Sequence, residues 1–144
     1  MAKLPFTMNR KRKLIVALAT VAVLTLIWLI ANPLGRFGLC RFGYTTYSAL
    51  PLPLADLQVR CDGRIRIVKK THDLTFDRIE WLLEPMPEIL IIATGWDGVT
   101  RPDYKILRYK GCELLVLTNK EGIARFNELK KAGKRIAIHY HSTC

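Results

Sequence analysis

Three side chains within six residues carry the densest chemistry of the chain: His139, His141 and Cys144 in the run His139-Tyr140-His141-Ser142-Thr143-Cys144. Residues two apart on a strand share a face. Two imidazoles and a thiolate from this run can therefore supply three metal ligands. Cys112 offers a second thiol that can pair with Cys144, and reactive thiol chemistry there requires a depressed pKa. The plainer reading is a hydrogen-bonded core histidine and a small buried apolar cysteine. Cys40, Cys61, Cys112 and Cys144 show no CxxC and no zinc-ribbon spacing. No structural zinc is expected from that spacing, and no resident metal or cofactor is expected.

A second group lies in the loop Thr94-Gly95-Trp96-Asp97-Gly98, behind the apolar run 89–93. Open α/β sheets bind ligands beyond the carboxyl ends of their strands. Backbone amides here, with the Thr94 and Asp97 side chains, can cradle a small polar group, and Trp96 can stack on it or on a partner. A turn that needs positive φ explains Gly95 and Gly98 equally well. No Gly-x-Ser-x-Gly, phosphate-binding loop or His-Glu-x-x-His occurs. Glu84 and Glu88 flank a proline break, and His72-Asp73 reads as a solvated residue beside a helix cap. A binding protein without enzymatic activity is expected.

These residues need elements to hold them. Ile65 and Ile67 alternate with Arg64 and Arg66, as in a half-buried strand. Asp73 and Thr75 offer capping oxygens for a helix over 76–83, ended by Pro85 and Pro87. The apolar run 89–93 predicts a strand covered on both faces. A short helix over 103–109 and a strand over 113–117 follow. Asn119 caps a predicted helix over 120–132, Gly133 ends it, and 135–140 is the last strand. Strands alternating with helices predict an α/β domain with a mixed, partly parallel sheet over 58–144. Residues 32–57, rich in Pro, Gly, Tyr and Leu, read as a linker leading into irregular or edge-strand structure, where Pro51 and Pro53 argue against a central strand.

Residues 14–31 are eighteen uncharged, mostly aliphatic positions behind the cluster Arg10-Lys11-Arg12-Lys13. As a helix they span roughly 27 Å, close to the apolar core of a bilayer. Thr20 and Thr25 can bond back to the preceding turn. A signal peptide has a shorter apolar region and small residues at its cleavage site. The expectation is a single-pass membrane anchor that places residues 14–31 in the lipid bilayer. Five basic residues precede it (Lys3 and residues 10–13), and only Arg36 and Arg41 follow closely. This asymmetry puts residues 1–13 in the cytoplasm and the domain on the far side, across a bacterial or mitochondrial inner membrane.

Residues after Ala31 carry 18 Lys+Arg against 12 Asp+Glu, a net charge of +6. That suits anionic headgroups, an acidic partner or simple solubility. Without a stacking platform or basic helix, nucleic acid is not expected as a partner. Four cysteines permit two disulfides in an oxidising compartment, or four buried free thiols.

Several segments of the later chain resemble one family. They are Pro87-Glu88-Ile89-Leu90-Ile91-Ile92-Ala93-Thr94-Gly95-Trp96, Gly111 before a strand, Ile123-Ala124-Arg125-Phe126-Asn127-Glu128-Leu129, and the His141–Cys144 run. The family is that of small α/β domains including the mitochondrial complex I assembly factor 3 and the adipogenesis-associated domain protein. The resemblance covers roughly residues 42–144 and implies a compact three-layer fold without established enzymatic activity. It also implies a role through protein contacts in assembling a membrane, possibly respiratory, complex. Asn119 stands where the family's capping Thr is usual, the 94–98 loop departs from the family's Gly-x-Gly, and the anchor lies outside the family pattern. The function expected is that of a membrane-anchored protein-interaction domain, an assembly factor or accessory subunit of a membrane protein complex. Trp81, Trp96 and Tyr104 are its first interface residues. The alternative is a small-molecule-binding or thiol-redox domain using the 94–98 loop or the His139/His141/Cys144 cluster.

Overall fold

The computed structural model describes residues 9–144, so Lys3 and the rest of residues 1–8 lie outside the described residues. Two compact units make up the chain, Met1–Ala31 and Asn32–Cys144. In the first, helix α1 (Arg10–Ala31) buries none of its residues and reaches a mean hydropathy of 2.8. By length and composition it can cross a membrane. Asn9 caps it, its side chain accepting from Lys11 N at 3.2 Å. Thr20 and Thr25 donate to the carbonyls of Val16 and Val21, both at 2.9 Å. Neither hydroxyl is therefore left unpaired on the apolar surface.

The second unit is an α/β domain around a five-stranded mixed sheet of order β5-β4-β10-β7-β9. Strands β7 (Ile89–Ala93), β9 (Glu113–Leu117) and β10 (Ile136–Tyr140) are parallel. Strand β4 (Asp56–Val59) runs antiparallel to β10, and β5 (Ile65–Val68) antiparallel to β4. β7 and β10 are buried at every position, which is why both read as nearly unbroken apolar runs.

Alternate side chains of the central strands divide between two cores. Ile89, Ile91, Ala93, Ile136, Ile138 and Tyr140 pack with Phe126 and Leu129 of helix α4 (Asn119–Lys131). Leu90, Ile92 and Ala137 pack on the other side with Leu74, Ile79, Leu82 and Ile106. The latter come from helices α2 (Phe76–Ile79) and α3 (Tyr104–Leu107), the 3-10 turn Glu80–Leu83, and the short strand β6 (Asp73–Leu74), paired with β8 (Arg101–Pro102). The result is three layers. Gly122 lets α4 lie close on β7: a Cβ there would stand 3.2 Å from that of Ala93.

The segment expected to lead in as a linker with irregular or edge-strand structure is folded into strands from residue 37. Strands β1 (Phe37–Arg41), β2 (Tyr44–Tyr47) and β3 (Leu50–Pro53) form a three-stranded antiparallel sheet. Its Phe37 and Tyr47 are 2% exposed and join Phe126 in edge-to-face contacts, with centroids at 5.3 and 6.2 Å. Pro51 and Pro53 lie on β3, an edge strand. Asn127 holds the sheet to α4, accepting from Phe37 N at 2.9 Å and donating to Phe37 O at 2.8 Å.

Two capping expectations also change. Thr118 caps α4, its backbone N–H reaching Glu121 Oε2 at 3.2 Å and its hydroxyl the same oxygen at 2.8 Å. Asn119 is the first helical residue and is fully buried, which turns its amide to another task. The helix expected over 76–83 splits into α2 and a 3-10 turn, with no side-chain cap from Thr75, while Asp73 is exposed on β6. Asp103 serves there, its two oxygens accepting from Phe76 N and Ile106 N at 3.3 and 3.0 Å.

Candidate functional site

The three parallel strands end at one edge of the sheet, where Ala93, Leu117 and Tyr140 stand in register. Antiparallel pairing brings the start of β4 and the end of β5 to that edge, since Leu57 faces Tyr140 and Val68 faces Asp56. The 94–98 loop, the first residues of α4, the 69–72 segment and the His141–Cys144 tail all start from this edge. Two groups that read as separate in the sequence thus become one place.

Asn119 is its hub. Its Oδ1 accepts from Gly95 N at 3.2 Å, its Nδ2 donates to His141 O at 2.6 Å, and its own N–H reaches Gly95 O at 2.9 Å. His141 N donates to Ala93 O at 3.2 Å, and Ser142 O accepts from Gly43 N at 2.8 Å. The tail therefore lies against the loop. A Cβ on Gly95, whose φ is +104°, would stand 1.7 Å from Cys144 O. Thr94 Oγ1 donates to Leu117 O at 3.0 Å. Gly95 N–H and the Thr94 hydroxyl, both offered as ligand donors, are thus engaged by the protein itself. Asp97 and Gly98 remain exposed.

Asp56 was not singled out by sequence, yet it organises the tail. It is 1% exposed. Its Oδ2 lies 2.7 Å from His141 Nδ1, and its Oδ1 accepts from Ser142 N and Oγ at 2.8 and 2.9 Å. Burial alone would raise its pKa, but these donors outweigh burial and hold the carboxyl below its ordinary value. The sequence signal was faint: Asp56 and Gln58 alternate with Leu57 and Val59 over only four residues, and such alternation places the polar pair on one face without showing that this face is buried.

His139 and His141 do not converge on one ion. β4 provides each with its own partner, Gln58 for His139 and Asp56 for His141. Alternate residues on a strand are also about 6.8 Å apart. His72 takes the third place instead: one ring nitrogen each of His72 and His141, and Cys144 Sγ, lie within 4.8 Å of one another. The two rings meet edge to face at 5.2 Å. The solvated His72 of the sequence reading is thus a neighbour of the buried His141.

Cys112 precedes β9 and approaches Leu90, at the opposite end of the parallel strands from Cys144. The two thiols form no pair, and all four cysteines are free. Burial pushes the Cys112 thiol up, against the direction nucleophilic chemistry needs.

His139 lines a cavity of about 250 Å³ with Gln58, Arg66, Lys69 and Arg78. Arg66 Nε donates to Gln58 Oε1 at 2.8 Å, and Gln58 Nε2 donates to Arg78 O at 2.8 Å, which fixes the amide orientation. Gln58 Nε2, 3.1 Å from His139 Nδ1, must therefore donate to it, so the imidazole is neutral with its proton on Nε2. Burial, with His141, Arg66 and Arg78 nearby, lowers the His139 pKa to about 4 against the pull of Asp56. The unfolded chain binds this proton near pH 6.5 and the folded chain only near 4, so stability falls as pH falls through that window. The loss reaches roughly 3 kcal/mol. Urea midpoints from pH 7 to 4 check this, and His139→Gln should flatten the slope. An unchanged slope would remove His139 as its source.

Of the proposed interface aromatics, Trp96 is half-buried with its indole nitrogen covered. Trp81 lies under the guanidinium groups of Arg60 and Arg66, at 5.0 and 4.6 Å. Tyr104 is 65% exposed.

No protein-family model and no curated protein sequence matches the chain. Solved structures do. The structure of MT938 is 31% identical, with a TM-score of 0.67 over 76% of this chain and 98% of that one. This chain belongs to the MT938 family. A conserved hypothetical protein from Pyrococcus horikoshii OT3, PH1505, is 23% identical with the same TM-score, covering 76% of this chain and 99% of its own. Xanthomonas campestris XCC1710 is 16% identical at a TM-score of 0.53, over 74% and 83% of the two chains. These two show the same fold. The similarity to MT938 spans 76% of this chain.

Proposed function

We propose that this chain is a membrane-tethered protein-interaction domain, an assembly factor or accessory subunit of a membrane protein complex. The observation that carries the reading is α1, a 22-residue helix with no buried residue and an 18-residue stretch of mean hydropathy 2.8. So large an apolar surface is not stable in water, and a bilayer suits its length. The basic cluster before it and the sparse charge after it favour a cytoplasmic N-terminus, with the domain across an inner membrane. The resemblance to the complex I assembly factor 3 family supplies the partner class, and exposed Tyr104 and Leu107 on α3 offer a place for contact.

A tether confines the domain to the layer of its partners, so modest interface affinity suffices. Removing residues 1–31 should release the domain from the membrane fraction. It should also lower partner recovery in mild detergent by roughly 100-fold, while an unrelated apolar helix in its place restores both. Mass spectrometry of material purified from native membranes reads the result. Undiminished recovery without the helix, or a chain recovered alone after cross-linking, would overturn the proposal.

A further inference from the structure

The geometry points to a binding site for a divalent transition-metal ion of the zinc class, held by His72, His141 and Cys144. It goes beyond partner binding and does not depend on the membrane reading. His141 carries the argument. Its side chain is 1% exposed, one ring nitrogen is committed to Asp56 at 2.7 Å, and Nε2 is buried with no hydrogen-bond partner. Native proteins pair nearly all buried polar atoms, so an open imidazole nitrogen beside a second histidine and a thiol calls for an occupant.

The arrangement has the parts of a metal centre. Bond lengths of about 2.0–2.3 Å separate tetrahedral donor atoms by roughly 3.3–3.8 Å. The three donors here lie within 4.8 Å of one another. His72 is exposed and Cys144 half-buried, so side-chain rotation can close the remainder. Asp56 fills the outer position, accepting the Nδ1 proton of His141 and leaving the Nε2 lone pair to the ion. Lys70 Nζ reaches Thr143 Oγ1 at 3.3 Å and joins the His72 segment to the tail, while Arg101 N donates to His72 O at 2.6 Å and anchors the His72 backbone to β8.

Two imidazoles and a thiolate, with no carboxylate among the direct ligands, suit zinc rather than calcium or magnesium. Three protein ligands beside an exposed histidine leave the fourth position to water. Loading deprotonates the Cys144 thiol, releases that proton to solvent and leaves both imidazoles neutral and the ion's oxidation state unchanged.

The test uses the full chain, purified in mild detergent without a polyhistidine tag, reduced, stripped by chelator and titrated with Co²⁺ and then Zn²⁺. One Co²⁺ per chain is expected, with a thiolate-to-cobalt charge-transfer band and tetrahedral visible bands that Zn²⁺ abolishes. Cys144→Ser should lose the charge-transfer band. His72→Gln should weaken Co²⁺ binding by roughly tenfold or more. Both positions lie outside the buried core, and circular dichroism checks that both variants fold. His139→Gln should retain the band. Absence of the band in the native chain, or full affinity in folded His72→Gln, would overturn the site.

Discussion

Gly95→Ala is expected to destabilise the domain by about 3 kcal/mol and to detach the His141–Cys144 tail from the 94–98 loop. Two effects add. The residue sits at φ +104°, where a side chain is strained, and the new Cβ would stand 1.7 Å from Cys144 O and 2.8 Å from Thr143 O. Both obstacles are backbone atoms, so no rotamer change relieves them. Gly98→Ala is the comparison: its φ is +70°, and its nearest neighbour for a Cβ is Thr94 Oγ1 at 3.8 Å. That variant should lose about 1 kcal/mol, from backbone strain alone. Urea midpoints of the two proteins, with hydrogen exchange over residues 141–144, separate the outcomes. Equal losses would show that the tail does not seat on Gly95. Since the tail carries two of the three proposed metal ligands, Gly95→Ala should also abolish the Co²⁺ signal.

Asp56→Ala should cost about 3–5 kcal/mol, the range for removing one partner of a buried ionic or hydrogen-bonded pair. The substitution leaves His141 Nδ1, Ser142 N and Ser142 Oγ without their acceptor, in a place where Asp56, His141 and Ser142 are at most 1% exposed. Asp56→Asn keeps one carbonyl oxygen and much of the shape, and should lose about half as much. Denaturation of both variants at about pH 8, well above the 6.5 at which the unfolded chain takes up the His139 proton, isolates the effect. A loss below about 1 kcal/mol for the alanine variant would mean that water replaces the carboxylate. The tail would then be a loose appendage.

Both predictions concern a junction that the sequence showed only in pieces. The 94–98 loop and the terminal His/Cys run each drew notice for their residue types, but their contact depends on β7 and β10 being adjacent and parallel. Asn is a common capping residue, so the local sequence points to Asn119 as the cap. Thr118 with Glu121 satisfies that end instead, leaving the Asn119 amide to bind Gly95 and His141. Residue type alone suggests pairing Cys112 with Cys144, whereas the strands between them separate their positions by the length of the sheet.

What the sequence determined by itself is what local chemistry and periodicity encode. The apolar run 14–31 specifies a long helix in any context, and the runs 89–93 and 113–117 specify strands β7 and β9. The helix expected over 120–132 is found at Asn119–Lys131, one residue earlier, because the Thr118/Glu121 pair moves its start. Tertiary structure decided the rest. Strands β1–β3 are short and carry two prolines, and their Phe37 and Tyr47, which touch each other across β1 and β2, gain their further ring contacts from Phe126 of α4 and Tyr140 of β10. His72 is separated from His141 by 69 positions in the chain, and no spacing rule connects them. They meet because β4 reverses direction between β5 and β10, carrying the end of β5 to the edge where β10 finishes. Strand pairing is a long-range choice, made by the burial of whole faces, and it decides which side chains can act together.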